Sequence, residues 1–445
     1  MRIYFKFLLY LLSVVLFLTP ANLHAFVKEY RLDNGLKVLI IEDHKAPLAI
    51  FQIWYRVGSR DEPAGKTGMS HLLEHMMFKG THRYGSKVFS NIIQRNGGAD
   101  NAFTTKDYTM YFQTLSSDRI EISVELEADR MTNLLLDSGD VVSERNVVME
   151  ERRMRTEDSP QNLLHEELVA AAFNNHPYRS PVIGWMSDIA SIEKEDLYGY
   201  YRKYYSPDNA FIVVSGDVKP ESMLQKIKKH FANIPLAGTD RKTKAGSVEP
   251  EQKEEKRIYL KRDAELPYIL TAYHVPSFPH KDCFALEVLS TILSGGRSSR
   301  LYRSIVYEKK LAIESFADYI GFHKDPFLFL FGAAAAPGKD IEEVERAIDA
   351  EIEKIKREPP SDREMQKAKN QIEAFFIFAQ DSNYSKAYYA GLFEILGSWK
   401  LVDTYLEGIR RVAPEDIQAV ARKYFSRDNR TVGILIPTKK AGSKQ

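Results

Sequence analysis

The sequence predicts an α+β protein of two homologous halves, each an antiparallel-rich sheet with helices packed on one face. The main observation is an internal repeat, in which residues 195–209 return at 415–429 with a constant offset of 220 and eight of fifteen positions identical. Each copy leads into an apolar strand, at 210–215 and at 431–436. In addition, the 445 residues are too many for one hydrophobic core. Together these observations indicate two related units.

The N-terminus has the pattern of a signal peptide, which we assign to residues 1–25. Arg2 and Lys6 precede an apolar run that ends before Pro20, and cleavage is expected after Ala25. The run is shorter than the roughly 20 residues that a membrane span needs. We therefore expect an exported protein, periplasmic or secreted, with no stable membrane span after signal cleavage. A signal retained as an anchor is the alternative.

The mature chain divides into a first half at 26–235, a linker at 236–256 and a second half at 257–445. The linker is rich in Lys, Glu, Gly and Pro and poor in apolar residues. In the first half, Asp33-Asn34-Gly35 is a strong signal for a hairpin between two strands. Strands are expected at 26–32, 36–41, 48–57 and 108–114, and helices within 68–80, 87–96, 119–136 and 143–154.

Composition excludes some classes of function. The net charge of +1 argues against broad electrostatic binding to nucleic acid or to an anionic membrane. The only cysteine, Cys283, allows no internal disulfide and is interpreted as a buried small hydrophobe. His176 has no ligand spacing to other candidate residues and is interpreted as structural.

The stretch 68–80 holds the most informative motif, His71-Leu-Leu-Glu-His75. On a helix, residues four apart lie on nearly the same face, so His71 and His75 can bind one metal ion with Glu74 beside them. This order of residues is the inverted form of a zinc-peptidase signature. An ordinary helix with two surface histidines is the alternative. Catalytic zinc takes three protein ligands, so a third must come from elsewhere in the chain.

A second acidic helix, at 143–154, is a candidate source. Glu144 and Glu151 are seven residues apart and share one face, with Val147 and Val148 between them. An acidic pair on a face flanked by apolar residues is unusual for a solvated helix. Glu150 points about 100° away from Glu151.

The second half lacks this chemistry. The offset of 220 places Thr291, Ser294 and Gly295 where His71, Glu74 and His75 stand in the first half. We therefore expect the second half to form a wall for substrate rather than a second active site.

At these residues the chain resembles the pitrilysin or insulinase-type zinc peptidases, which include the mitochondrial processing peptidase. The resemblance extends over 26–440 and rests on the His71–His75 motif, the Glu144–Glu151 helix and the two-half architecture. It implies a cavity for peptide or unfolded-protein substrates and one Zn²⁺ per chain, held by His71, His75 and Glu151. It also implies Glu74 as general base and Glu144 as a catalytic-site carboxylate that orients a ligand or the base.

The segment Asn101-Ala102-Phe103-Thr-Thr105 resembles the family's edge strand beside the zinc. A peptide substrate would add to this strand by backbone hydrogen bonds, so Asn101, Ala102 and Phe103 are candidate substrate-binding residues. An ordinary loop leading into the next strand is the alternative.

One departure from the family concerns an arginine and a tyrosine, seven residues apart, that bind substrate in the second half. At the corresponding places this chain has Val306 and Ile313, with Arg303 and Tyr307 nearby. The resemblance therefore implies a zinc subunit that works with a homologous zinc-less subunit carrying the Arg/Tyr pair. A homodimer is the other possibility.

Two functions follow. The first is an exported zinc metalloendopeptidase with a partner subunit. The alternative is a non-catalytic assembly or scaffold protein of the same fold. Scaffold relatives usually lose zinc ligands, whereas this chain retains all four motif residues that the resemblance implies.

Overall fold

The computed structural model describes residues 27–237 and 248–438 of the chain. The signal peptide assigned to 1–25 and the central part of the linker lie outside the described residues. None of the helices within the two described ranges has both the length and the apolar character needed to cross a membrane.

The first half contains one mixed sheet within residues 27–237. Its strands are β1 Val27–Arg31, β2 Lys37–Glu42, β3 Leu48–Tyr55, β4 Ala99–Thr104, β5 Thr109–Ser116 and β6 Ala210–Gly216. They lie in the order β1-β2-β6-β3-β5-β4, and every pair is antiparallel except β2 with β6. Strand β4 is therefore an edge of the sheet.

Most helices of the first half cover one side of this sheet or form its connections. They are α1 Met69–Met76, α2 Val88–Arg95, α3 Glu121–Asn133, α4 Ser138–Arg152, α5 Pro160–Ala172, α6 Met186–Ser191, α7 Lys194–Tyr204 and α8 Pro220–Phe231. Helix α4 begins five residues earlier than the sequence suggested. The reason is a cap, because the Asp137 carboxylate accepts a hydrogen bond from the amide of Gly139 at 2.8 Å.

The second half repeats the architecture within residues 248–438. Its strands are β7 Lys256–Arg262, β8 Tyr268–Val275, β9 Ala312–Tyr319, β10 Phe327–Ala335 and β11 Arg430–Pro437. Its helices are α9 Cys283–Ser294, α10 Ile341–Arg357, α11 Asp362–Ala379, α12 Asn383–Leu396, α13 Leu401–Arg411 and α14 Pro414–Tyr424. The strand order is β7-β11-β8-β10-β9, with β9 at an edge.

The repeat predicted from sequence is present in the structure. Strand β8 and helix α14 begin and end 220 residues after β3 and α7. The one parallel pair of the second sheet, β7 with β11, matches the parallel pair of β2 with β6. The predicted α+β fold of two homologous halves is thus confirmed.

One helix from each half packs on the sheet of the other half. Helix α5 of the first half packs on β7, β8 and β11 of the second sheet, where buried Leu164 and Leu168 lie over Gly433. Helix α12 of the second half packs on β3 and β6 of the first sheet. Gly391 of α12 approaches the buried ring of Trp54 so closely that an added Cβ would lie 2.3 Å from it. Each half therefore completes the core of the other.

A buried polar network also joins the halves. Asp107 of the first half accepts hydrogen bonds from the Tyr178 hydroxyl at 2.6 Å and the Arg60 guanidinium at 2.9 Å. Across the junction, the ring Nδ1 of His323 lies 3.1 Å from the other carboxylate oxygen. Burial alone would raise the pKa of Asp107, but these hydrogen bonds hold it well below its usual range.

His176 lies beside this network. Its ring Nε2 is 3.0 Å from the carboxylate of Asp325 in the second half, and its ring Nδ1 accepts a hydrogen bond from the amide of Tyr178. Both ring nitrogens therefore have partners within the junction.

Replacing Asp107 with Asn should destabilise the junction, because Arg60 would lose its buried anionic partner and retain only its ion pair with the more exposed Asp325. We expect a loss of about 3 kcal/mol at pH 7 and a lower Tm. Because the pKa of Asp107 is lowered in the folded state, its contribution is fully present above the unfolded pKa of about 3.9 and is lost as the pH falls through the folded value. Thermal melts at several pH values should show that the difference in Tm between the unmodified protein and Asp107→Asn becomes smaller below about pH 4.

The control is Asp381→Asn, which changes an exposed carboxylate. An unchanged Tm for Asp107→Asn at pH 7 would contradict the proposed role of Asp107.

Candidate metal and catalytic site

Helix α1 carries the motif and is fixed at its N-terminus. Gly68 precedes it with φ +92°, and an added Cβ there would lie 2.6 Å from the carbonyl oxygen of Ile183. The carboxylate of Glu62 accepts hydrogen bonds from the amides of Gly68 at 2.8 Å and Ser70 at 2.7 Å. Burial raises the pKa of Glu62 to about 8, although these hydrogen bonds act in the opposite direction. The side chains Leu72, Leu73 and Met76 bury the helix in the core.

Three side chains converge beside α1. Ring Nε2 of His75 lies 3.5 Å from Oε2 of Glu151, and ring Nε2 of His71 lies 3.8 Å from the same oxygen. One ligand atom from each residue lies within 4.8 Å of the others. In a tetrahedral zinc site with bonds of about 2.0–2.2 Å, the ligand atoms are separated by about 3.3–3.6 Å. Two imidazoles and a carboxylate at this spacing can hold zinc.

Further charged groups orient these ligands. Ring Nδ1 of His75 lies 3.2 Å from Oε2 of Glu144, which leaves Nε2 of His75 directed toward Glu151. Lys79 forms an ion pair with the other oxygen of Glu144. The guanidinium of Arg155 lies 2.6 Å from Oε1 of Glu151, the oxygen that does not face the histidines.

The sequence prediction for the face of α4 was partly wrong. Glu144 and Glu151 do face α1, and Val148 is fully buried between them, but Val147 is 46% exposed. Around the helix axis, Val147 is rotated by about 60° from Glu144, away from Val148. Val147 therefore lies at the edge of the helix face that contacts α1. Glu150, as expected, points away and pairs with Arg153 at the surface.

The histidines differ in their protonation. Burial, followed by repulsion from His75, lowers the pKa of His71 to about 4, so its ring is neutral at physiological pH. Burial also acts to lower the pKa of His75, but its hydrogen bonds with Glu151 and Glu144 raise it overall. Ring Nδ1 of His71 is buried without a hydrogen-bond partner among the described residues. A neutral His71 has the lone pair that metal binding requires.

Glu74 is held against the edge strand. Its Oε2 accepts a hydrogen bond from the hydroxyl of Thr104 at 2.5 Å. Within residues 27–237 and 248–438 no hydrogen bond to Oε1 of Glu74 is present. Burial raises the pKa of Glu74, although the hydrogen bond from Thr104 lowers it. A carboxylate in this setting can exchange a proton at Oε1.

The segment containing Asn101, Ala102 and Phe103 is a strand and not a loop. It forms β4, which among the described strands pairs only with β5. The amide of Ala102 donates a hydrogen bond to the side-chain oxygen of Asn101 at 2.9 Å, and Asn101 is exposed. The unpaired edge of β4 thus has backbone groups close to Thr104, the residue whose hydroxyl donates to Glu74.

The second half presents other groups at the predicted places. Val306 is half-buried, whereas Ile313 is 54% exposed on the edge strand β9. Tyr307 is 72% exposed, and Arg303 forms an ion pair with Glu308 at 2.8 Å. The second half of this chain therefore has no Arg/Tyr pair at 306 and 313.

Four site residues were missed by sequence reasoning: Glu62, Lys79, Thr104 and Arg155. Arg155 follows Glu151 by four residues, so helical spacing could have indicated it, whereas Lys79 lies in the turn after α1 and pairs with Glu144 from far along the chain. Thr104 lay within the proposed edge segment, but its contact with Glu74 spans 30 residues. Nothing local marks Glu62, which reaches the helix across a loop.

Comparisons with known proteins show the family of the chain. The family model described as Insulinase (Peptidase family M16) matches residues 37–185, and the model described as Peptidase M16 inactive domain matches residues 191–372. The zinc protease PqqE of Helicobacter pylori is 33% identical over 439 residues, which cover 97% of this chain and 99% of that protein. A crystal structure of a protease from Helicobacter pylori matches with a TM-score of 0.88 at 32% identity, covering 92% of this chain and 99% of the other.

A more distant structure shows the same fold in a longer chain. The periplasmic protease PqqL from Escherichia coli matches with a TM-score of 0.77 at 17% identity, covering 92% of this chain but 47% of that one. The fold described here therefore corresponds to about half of that molecule. On the family models and the similarity to PqqE, the chain belongs to the insulinase family of peptidases, family M16.

Proposed function

We propose that this protein is an exported zinc metalloendopeptidase that acts together with a partner subunit. His71, His75 and Glu151 hold one zinc ion, and Glu74 is the general base. The observation that carries the proposal is the convergence of three ligand atoms within 4.8 Å beside a carboxylate that faces an edge strand. The zinc protease name of the similar Helicobacter pylori protein supports it.

When bound, zinc supplies a Lewis acid that lowers the pKa of a water molecule and polarises a peptide carbonyl. Oε1 of Glu74 takes a proton from the water that attacks the carbonyl carbon. Glu74 then returns this proton to the nitrogen of the leaving amine. Throughout, the hydroxyl of Thr104 fixes Oε2 of Glu74, so that Oε1 remains directed at the reacting groups.

Glu144 and Arg155 act by positioning the ligands. Glu144 holds Nδ1 of His75 and is itself held by Lys79, which fixes the orientation of the ring. Arg155 occupies one oxygen of Glu151 and directs the other toward the histidines. These residues do not contact substrate in this scheme.

Strand β4 binds the peptide substrate as an added strand. The amide of Ala102 is the donor for a substrate carbonyl once the side chain of Asn101 releases it. Phe103 is half-buried and packs against the rings of Tyr108 and Tyr388, so it supports this edge strand from the face that is turned away from Thr104 and Glu74. Backbone recognition of this kind provides affinity with little sequence selectivity.

A partner subunit supplies what the second half lacks. Val306 and Ile313 have no donor for a peptide carbonyl, whereas the family pair would provide two. The length of PqqL, about twice that of the present chain, supports a working unit of two such modules. The partner is a homologous zinc-less chain that carries the Arg/Tyr pair, or a second copy of this chain.

Export is proposed from the signal pattern at residues 1–25, which would direct the mature protein to the periplasm or out of the cell.

The alternative function is a non-catalytic scaffold of the same fold. The match of residues 191–372 to the inactive-domain model is compatible with it, but that match begins after His71, His75 and Glu151 in the chain. Zinc content and the activity of Glu74 variants separate the two functions.

Glu151→Gln should weaken zinc binding strongly, because it replaces a charged ligand with a neutral amide. The loss should exceed about 100-fold, since even residues outside the coordination shell cost about 10–100-fold. The control is Glu150→Gln, which alters the neighbouring exposed carboxylate and should be nearly silent. Competition with a chromophoric chelator measures both affinities. Equal losses in the two variants would contradict the ligand assignment.

Glu74→Gln should retain zinc and the fold but lose about 10³-fold in peptide hydrolysis, because the proton acceptor is gone while the ligands remain. The activity should be measured on the active assembly, together with zinc content and far-UV circular dichroism. Glu150→Gln again serves as the matched control. A Glu74→Gln protein with full activity would refute the mechanism.

The purified chain alone should bind zinc but cleave peptides slowly. A homologous companion with the Arg/Tyr pair should raise kcat/KM by about 10²-fold or more, because it supplies the missing donors. A companion with both residues replaced by Ala is the control and should not stimulate. Full activity of the chain as a monomer would show that Arg303, Tyr307 or another group already does this work.

A further inference from the structure

The second half contains a cavity at the place where the first half has its metal site. The offset of 220 relates His71, His75 and Glu151 to Thr291, Gly295 and Gln371. These three residues are also close together. Gln371 Nε2 donates a hydrogen bond to the Gly295 carbonyl at 3.3 Å. Gly295 lies so near Thr291 that an added Cβ would be 2.4 Å from the Thr291 carbonyl oxygen. Replacement of two imidazoles by smaller groups leaves space between α9 and α11.

The cavity has a volume of about 290 Å³, and half of its ten lining residues are aromatic. The aromatic lining residues are Phe322, Phe375, Phe376, Tyr389 and Tyr405. Phe375 is 69% exposed and marks the opening to solvent. Such a cavity accommodates a chain of methylene groups, and its aromatic side chains are able to attract a cation.

One carboxylate lies in this aromatic setting without a counter-ion. Glu287 lines the cavity, and no hydrogen bond or ion pair to its side chain occurs among the described residues. Burial, together with the nearby carboxylate of Asp318, raises the pKa of Glu287 to about 7. The titratable groups that interact with Glu287 besides Asp318, namely Cys283, Tyr319, Tyr389 and Tyr405, are neutral at physiological pH. The ammonium of Lys367 lies at the cavity wall, where it donates hydrogen bonds to the Gly295 carbonyl at 3.3 Å and to the Ser298 hydroxyl at 2.6 Å, and it forms no ion pair with Glu287.

We infer that this cavity binds the cationic side chain of an arginine or lysine in a peptide substrate, at a distance in sequence from the bond that is cleaved. The inference rests on the proposed peptidase function. The methylene stem would contact the apolar wall, the charged head would pair with Glu287, and the ring faces would add cation–π attraction. The cavity is thus a specificity site in the half that has no metal chemistry.

Other occupants satisfy the cavity less well. A neutral apolar side chain would leave the carboxylate of Glu287 buried without a partner, which costs free energy. An anion would be repelled by Glu287 and Asp318. A metal ion would find one carboxylate and aromatic rings, since Thr291 and Gly295 replace the imidazole ligands.

The test uses the zinc-loaded full chain with Glu74→Gln, so that the peptide stays intact. The probe is a short peptide of Ala, Ser and Gly with a single arginine, N-acetylated and C-amidated so that no other cation is present. Its comparator carries citrulline, the neutral isostere, in place of arginine. Isothermal titration calorimetry should show about tenfold tighter binding of the arginine peptide. A lysine peptide should show the same preference over a norleucine peptide.

Adding Glu287→Gln should remove this preference, whereas Glu343→Gln, the same charge change at an exposed position on α10, should retain it. Phe375→Ala, at the exposed mouth, should weaken arginine binding about threefold or more without disturbing the fold. An arginine preference that survives both Glu287→Gln and Phe375→Ala, or one that is absent from the start, would overturn the inference. Mass spectrometry of the peptide reports cleavage separately, so a failure of the proposed catalysis is distinguishable from a failure of this site.

Discussion

The contact between α1 and α4 is the constraint on which the candidate site depends. Each helix alone presents an incomplete set of groups, two imidazoles on one and two carboxylates on the other. When the helices pack, Oε2 of Glu151 reaches both rings and Glu144 reaches the far nitrogen of His75. The packing is fixed at the start of α1, where Glu62 caps the helix and Gly68 touches the backbone at Ile183. The ligand geometry is therefore set by backbone contacts outside the motif.

A second constraint relates the two halves. Because α5 and α12 each pack on the sheet of the other half, neither sheet is fully covered by helices from its own half. The network around Asp107 adds charged hydrogen bonds at the same junction, close in sequence to β4. The edge strand that carries Thr104 is thus tied to the second half through the turn that follows it. This coupling gives the second half a fixed relation to the strand on which peptide binding is proposed.

The sequence predicted the features that depend on local spacing or on the repeat. The offset of 220 anticipated the match of α7 with α14, and the four-residue spacing placed His71 and His75 on one face. It did not anticipate the start of α4, because Asp137-Ser-Gly-Asp140 has the composition of a loop and becomes helical only through its cap. It also did not anticipate the exchange of α5 and α12 or the contact of Thr104 with Glu74. These depend on contacts between segments far apart in the chain, which leave no periodic signal.

The two halves share a frame but differ in the chemistry that the frame carries. Helices α9 and α11 pack as α1 and α4 do, although Thr291, Gly295 and Gln371 stand in place of the three candidate ligands. The packing of this helix pair thus does not require metal ligands, because apolar contacts from residues such as Leu289 and Ile292 hold it. By the same reasoning, the corresponding frame of the first half is maintained by its own core, with Leu72, Leu73 and Val148 fully buried. The metal binding proposed for the first half would therefore add reactivity to a scaffold that is stable by packing, and the second half is free to use the same position for the recognition proposed above.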